Sequence, residues 1–257
     1  MSHTDRSQDW TPVVLDGPRH EFPGRLLAIE GSDGSGKSYF VSWLVSAMSD
    51  DIPCTHVLMP GEHMRAYDLW RAWSDESLGF DRSLIDDAGL KLMAVGDRLV
   101  RQRAIIEPAL RRGHLVICER YALTPLVFNS EAMFSKPLQR LYRPDLGLLF
   151  DAPSDLLFDR VLQRTDSPVH PQTRHDKEIE VKRFRELAEK NLYSVVGTSA
   201  PNDFEDVRPL LWEMLRPRAG GLSRVLATPV DSAEPPPQAD ADRIPPVRTG
   251  LGSVKNR

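Results

Sequence analysis

The chain has 257 residues, a formal net charge of -4, and 40% hydrophobic and 27% charged residues, the balance of a soluble globular protein with apolar side chains enough for a sizeable core. A net acidic chain has no general attraction to nucleic-acid polymers or to anionic membranes, so neither is expected as a partner. No uninterrupted apolar stretch approaches the roughly 18 residues that a bilayer span requires.

Residues 1 to 24 are polar and punctuated by Pro12, Pro18 and Pro23, with no helical period, so they read as an extension leading into the first strand. They lack the apolar core of a signal peptide, which makes the cytoplasm the expected compartment. Leu26-Leu27-Ala28-Ile29 reads as the first strand and Lys37 to Met48 as the first helix. Cys54 to Met59, Leu115 to Cys118 and Leu146 to Phe150 follow as short runs that are apolar nearly throughout, as strands covered on both faces are. Cys54 and Cys118 sit inside two of these runs, which fits reduced core thiols better than a disulfide or a metal set. Leu84 to Arg112 carries Leu90, Met93, Ala94, Asp97 and Arg101 at spacings of three and four, a helical pattern that Pro108 is expected to break or kink. Ser154 to Arg164, Glu178 to Val196 and Glu205 to Leu215 read as further helices. From Pro217 onward, Gly220-Gly221, Pro235-Pro236-Pro237 and Pro245-Pro246 give a composition too poor in apolar area to offset chain entropy. Residues 217 to 257 are therefore expected to form a disordered Pro-rich tail. The alternation of strands and helices implies an α/β fold of three layers, a parallel sheet with helices on both sides, spanning residues 25 to 216.

Gly31-Ser32-Asp33-Gly34-Ser35-Gly36-Lys37-Ser38 matches G-x-x-x-x-G-K-[ST], and a strand enters this loop while a helix leaves it. The glycines let the backbone wrap so that its N–H groups face phosphate oxygens, and the helix N-terminus adds partial positive charge. In such a loop Lys37 reaches the β- and γ-phosphates of a nucleotide and Ser38 ligates Mg²⁺. ATP and Mg²⁺ are the expected donor and metal.

The run from Leu26 through Glu30 to Ser38, with Asp33 inside it, resembles the thymidylate kinase family, whose loop reads E-G-x-D-G-x-G-K-[ST]. Asp97-Arg98, the segment Ile106 to Tyr121 ending Glu119-Arg120-Tyr121, and Arg143-Pro144-Asp145-Leu146 with Leu149-Phe150-Asp151 are similar to that family's later motifs. The resemblance covers about residues 25 to 215. It implies a P-loop NTPase fold with a five-stranded parallel sheet and a helical lid, a homodimer, and transfer of the γ-phosphoryl group of ATP to a nucleoside monophosphate, dTMP to dTDP or a related nucleotide. By resemblance, residues 31 to 38 hold ATP, and Asp33, Arg98 and Arg120 face the acceptor, with Thr124 and Asn129 beside it. Glu119 stands where the family has Asp, keeps the carboxylate, and is expected to position either Mg²⁺, together with Ser38, or Arg120. Lys37, Arg98, Arg120 and Mg²⁺ are the cations that two approaching phosphates need, and no general base is required because the acceptor phosphate is itself an anionic nucleophile.

Arg160, Arg164, Arg174 and His175 flank a proline-containing loop that reads as a closing lid. The family places its catalytic arginine in the phosphate loop or in the lid. This loop has none, so the role is expected of Arg164 or Arg174. The chain departs from the family in three places. Leu58-Met59 stand where an Arg-Glu pair lies near the acceptor, Ala94 stands where a phenylalanine stacks on the base, and Thr124, Phe128 and Asn129 stand for Ser, Tyr and Gln. Asp151 reads equally as structural or as associated with magnesium, and Glu107, Trp70 and Trp73 read as structural. A deoxynucleoside kinase, in which a Glu-Arg pair follows the third strand, is the alternative; it needs a carboxylate base after the second strand, where this chain has Met59. A nucleotide-binding regulatory module without turnover is the second alternative.

Overall fold

The computed structural model describes residues 10–48, 52–74, 85–129, 132–163, 173–200 and 204–216. Arg164, the loop after it through residue 172 and the tail from residue 217 lie outside the described residues. Five strands, β1 (Arg25–Glu30), β2 (Cys54–Leu58), β3 (Leu115–Glu119), β4 (Leu146–Asp151) and β5 (Ser194–Gly197), form one sheet in the order β2-β3-β1-β4-β5. Every pairing is parallel.

Successive strand side chains point to opposite faces, and each face here has its own apolar layer. Leu26, Ala28, Val116, Cys118 and Leu149 face one cluster, covered by α4 (Asp87–Arg101), α5 (Glu107–Arg111), α6 (Thr124–Phe128), α7 (Ala132–Leu138) and α9 (Arg174–Lys190). Leu27, Ile29, Ile117, Leu148 and Phe150 face the other, covered by α1 (Lys37–Met48) and α10 (Arg208–Leu215) with Phe204. Two short helices, α2 (Glu62–Ala66) and α3 (Asp68–Ser74), follow β2, and α8 (Ser154–Leu162) follows β4.

The structure differs from the sequence-based expectation at three elements. Pro108 does not break its helix. A π-helical turn, Gln102–Ile106, joins α4 to α5 and places Pro108 in the first turn of α5, where a missing N–H costs little. The helix expected to reach Val196 ends at Lys190, and Leu192 in the left-handed region (φ 59°) turns the chain into β5. The last helix begins at Arg208, after a turn through Phe204.

Residues 10 to 24 pack on the sheet domain. Trp10 Nε1 donates to the Leu126 carbonyl (2.9 Å), Leu15 N donates to Asn191 Oδ1 (2.7 Å), and His20 Nε2 meets Asp145 Oδ2 (2.9 Å). Arg25 reaches back from β1 to the end of α10, donating to the carbonyls of Met214 and Arg216, each at 2.6 Å. A cation there satisfies carbonyls that the helix leaves open and complements its dipole.

Candidate active site

The carboxyl ends of β1 and β3 lie side by side, with Ile29 opposite Glu119, and ligands of open α/β sheets bind at such ends. The loop 31 to 38 leaves β1 there. Gly31 has φ 142°, and a Cβ on it would meet the Phe150 carbonyl oxygen at 2.4 Å, so the close approach of loop to β4 requires glycine. Gly36 also has positive φ (84°), the conformation that turns the loop into α1.

Lys37 is buried, and its Nζ donates to the Ser32 carbonyl (2.7 Å) and to Ser35 Oγ (3.3 Å). Burial, reinforced by Arg120, pushes its amine down to about 8 against the pull of Asp33, Glu119 and Glu180. Ser38 Oγ donates to Glu119 Oε1 (2.9 Å), and His56 Nε2 lies 3.4 Å from Glu119 Oε2. Burial acts to raise the Glu119 carboxyl, but His56, Lys37, Ser38 and Arg120 together outweigh it and hold the group below its ordinary value. An ionised carboxylate beside a hydroxyl at the loop's end is a donor set that suits a hard divalent cation such as Mg²⁺.

Arg120 is a non-glycine residue in the left-handed region (φ 61°), with its N–H on the Ile29 carbonyl (2.9 Å). This turn sends its guanidinium to Asp33 of the loop, with which it forms a salt bridge. Arg120, acting with Lys37 and Lys177 against burial, holds the Asp33 carboxyl well below the usual carboxylate range.

Arg98 supports this turn from behind. Fully buried on α4, it donates to the carbonyls of Tyr121 (2.6 Å), Ala94 (2.7 Å) and Arg120 (3.0 Å), spending three of its five N–H donors on backbone. Thr124 is likewise engaged: its hydroxyl donates to Glu30 Oε2 (2.6 Å), while Leu123 N donates to Glu30 Oε1 (2.7 Å). Asn129 closes α6, with its Oδ1 3.4 Å from Lys91 Nζ on α4. Met59 is wholly buried, and Glu62 is exposed at the start of α2. Gly61 N donates to Asp97 Oδ2 (2.8 Å), which also takes Arg101 Nε (2.9 Å).

Of the expected lid cations, Arg160 reaches the loop, donating to the carbonyls of Gly34 (3.3 Å) and Thr198 (2.8 Å). Arg174 does not. It is 54% exposed and pairs with Asp155 (2.9 Å) and Asp159 (2.7 Å) of α8, because those carboxylates face the first turn of α9. Asp151 and Glu107 pair with arginines, Asp151 with Arg185 and Glu107 with Arg103 and Arg111.

Sequence reasoning passed over Glu30, His56, Lys177 and Glu180. Lys177 Nζ donates to Ser32 Oγ (2.9 Å) and Glu180 Oε2 (2.8 Å). The signal was present: Lys177, Val181, Phe184 and Ala188 share the buried face of α9, and a lysine on such a face must be paired. Glu30 carries the same signal, a carboxylate ending a strand that is buried throughout.

The family model described as thymidylate kinase matches residues 29–208. The chain is 32% identical over 163 residues to the thymidylate kinase of Xanthomonas campestris pv. campestris (strain B100), covering 60% of this chain and 68% of that protein. It is 31% identical over 153 residues to the thymidylate kinase of Methylococcus capsulatus (strain Bath), covering 56% and 71% respectively. The solved thymidylate kinase of Candida albicans superposes with a TM-score of 0.53 over 75% of this chain and 91% of that one, at 18% identity, a likeness of fold. With the phosphate loop, the Asp33–Arg120 pair and the sheet order in place, the chain belongs to the thymidylate kinase family.

Proposed function

We propose that the chain transfers the γ-phosphoryl group of ATP to dTMP, giving ADP and dTDP. The observation that carries this reading is the meeting of Lys37, Asp33 and Arg120 where β1 and β3 end, with no carboxylate at Met59. A hydroxyl acceptor needs a base there, and a phosphate acceptor does not. The relatives named thymidylate kinase support dTMP as that acceptor.

The residues divide the work. The loop backbone and Lys37 bind the donor phosphates, and Lys37 leaves the Ser32 carbonyl to do so. Arg120, set by its left-handed backbone and by Arg98, neutralises charge between donor and acceptor, while Asp33 orients its guanidinium. Ser38 and Glu119 would hold Mg²⁺, which supplies charge neutralisation on the donor phosphates. The acceptor's phosphate oxygen attacks in line and ADP departs, so no protein group needs to take a proton. Arg164 remains the lid arginine of this reading. Thr124 and Asn129 border the acceptor from α6.

Two further parts of the reading concern assembly and place. Met93 and Val100 are exposed on one face of α4 with Gly96 between them, an apolar strip that supports pairing of two copies. Residues 25 to 216 act as the catalytic domain, in the cytoplasm. Among the described residues no helix is long and apolar enough to cross a membrane.

A panel of nucleosides and nucleoside monophosphates, assayed with ATP and Mg²⁺, tests the proposal. Turnover of dTMP with none of free nucleosides is expected; phosphorylation of a 5′-hydroxyl would overturn it.

A further inference from the structure

The buried face of α9 begins with two charges, Lys177 and Glu180, and continues as Val181, Phe184, Leu187 and Ala188. Lys177 is 1% exposed. Burying an ammonium costs hydration and rotamer freedom, and a buried ion pair is often no more stable than apolar residues of the same size. Stability alone gives this face no reason to switch from apolar to charged at the point where it meets the phosphate loop.

The contacts there are specific. Lys177 Nζ donates to Ser32 Oγ at 2.9 Å, and Lys37 Nζ donates to the carbonyl of the same serine at 2.7 Å. Two ammonium groups therefore flank one loop residue, next to Asp33. An ammonium has three N–H donors, and among the described residues Ser32 and Glu180 engage two of those on Lys177, leaving one for a further oxygen. The charge of Lys177 is felt at Asp33, and that of Glu180 at Lys37 and Arg120, so the pair belongs to the loop's charge cluster. Arg174, one turn earlier on α9, is bound on the surface by Asp155 and Asp159.

We propose that Lys177, oriented by Glu180, is a further cation of the phosphoryl-transfer centre, brought by α9 to the terminal phosphates of the donor beside Lys37. This rests on the reading of the chain as an ATP-dependent kinase. It gives the loop, which contains no arginine, a cation from outside its own sequence.

The test pairs Lys177→Met with Glu180→Leu, so that no buried charge is orphaned, and sets this double variant against Lys177→Arg. Calorimetric titration with a non-hydrolysable ATP analogue is expected to show about tenfold weaker binding to the double variant, with a smaller loss for ADP. In steady-state assays kcat falls by about 100-fold while KM for dTMP stays within about twofold, and Lys177→Arg recovers most of the loss. Should the double variant fail to fold, Lys177→Met with Glu180→Gln also removes both charges, keeps a polar group beside Ser32, and carries the same expectations. Unchanged analogue binding together with unchanged kcat would overturn the proposal. A wild-type protein inactive on dTMP, whose analogue binding still depends on Lys177, would instead remove dTMP as the acceptor and leave Lys177 in place.

Discussion

Ser38 Oγ donates to Glu119 Oε1 at 2.9 Å, joining the first turn of α1 to the carboxyl end of β3. The same carboxylate meets His56 Nε2 at 3.4 Å, so β2 also has a hold on it. If this carboxylate and hydroxyl hold Mg²⁺, Glu119→Gln keeps the hydrogen bond and loses the charge. The Mg²⁺ concentration at half-maximal rate is then expected to rise by about 10- to 100-fold. Titration of the rate with Mg²⁺ at saturating ATP measures it, and an unshifted curve would show that Glu119 has no part in metal binding.

The Asp33–Arg120 pair has a pH signature. Arg120 holds the Asp33 carboxyl below its ordinary range, so the native state binds that proton less readily than the unfolded chain. The pair's contribution is full above the unfolded carboxylate pKa of about 3.9 and is lost as pH falls toward the folded value. Asp33 is nearly half exposed, which limits the contribution to about 1 kcal/mol or less. Urea midpoints of wild type and Asp33→Asn should differ by a constant amount from pH 5 to 7, and the gap should narrow progressively as pH falls below about 4. A gap that persists at low pH would mean the carboxylate charge is not its source.

Arg25 is a structural cation far from the chemistry. Its two hydrogen bonds to the last carbonyls of α10 are each charge-assisted. Arg25→Met should lower stability by roughly 2–3 kcal/mol, with KM for ATP and for dTMP unchanged. Denaturant melts with parallel kinetics check both halves; a loss of substrate affinity at unchanged stability would contradict the assignment.

Glu30 accepts from Leu123 N, Thr124 N and Thr124 Oγ1 inside the sheet's end. Glu30→Leu leaves these donors buried without an acceptor, at a cost of about 3–5 kcal/mol. Glu30→Gln keeps one carbonyl acceptor and should lose about half as much by the same measurement, and equal losses would show that shape, not hydrogen bonding, sets the cost.

The phosphate loop was legible because its glycines answer to backbone angles no other residue adopts without strain, and four of the five strands were legible as short, largely apolar runs, of which β1 and β3 are buried throughout. β5 was not. It is an edge strand with Val196 alone buried, and it follows α9 closely enough for Leu187, Ala188 and Leu192 to extend the helical pattern. Asn191 and the left-handed Leu192 mark the stop, a weaker signal than glycine. The charges divided on another ground. Arg174 and Lys177 lie three positions apart, and only packing decides that α8 carboxylates take the first and the loop serine takes the second.

The most direct test is ³¹P NMR of the wild-type protein with ATP, Mg²⁺ and dTMP, with Lys37→Ala as the control. The expected result is ADP and dTDP in equal amounts from the wild type, none from Lys37→Ala at unchanged fold, and no product when thymidine replaces dTMP. Phosphorylation of thymidine, or undiminished dTDP formation by Lys37→Ala, would contradict it.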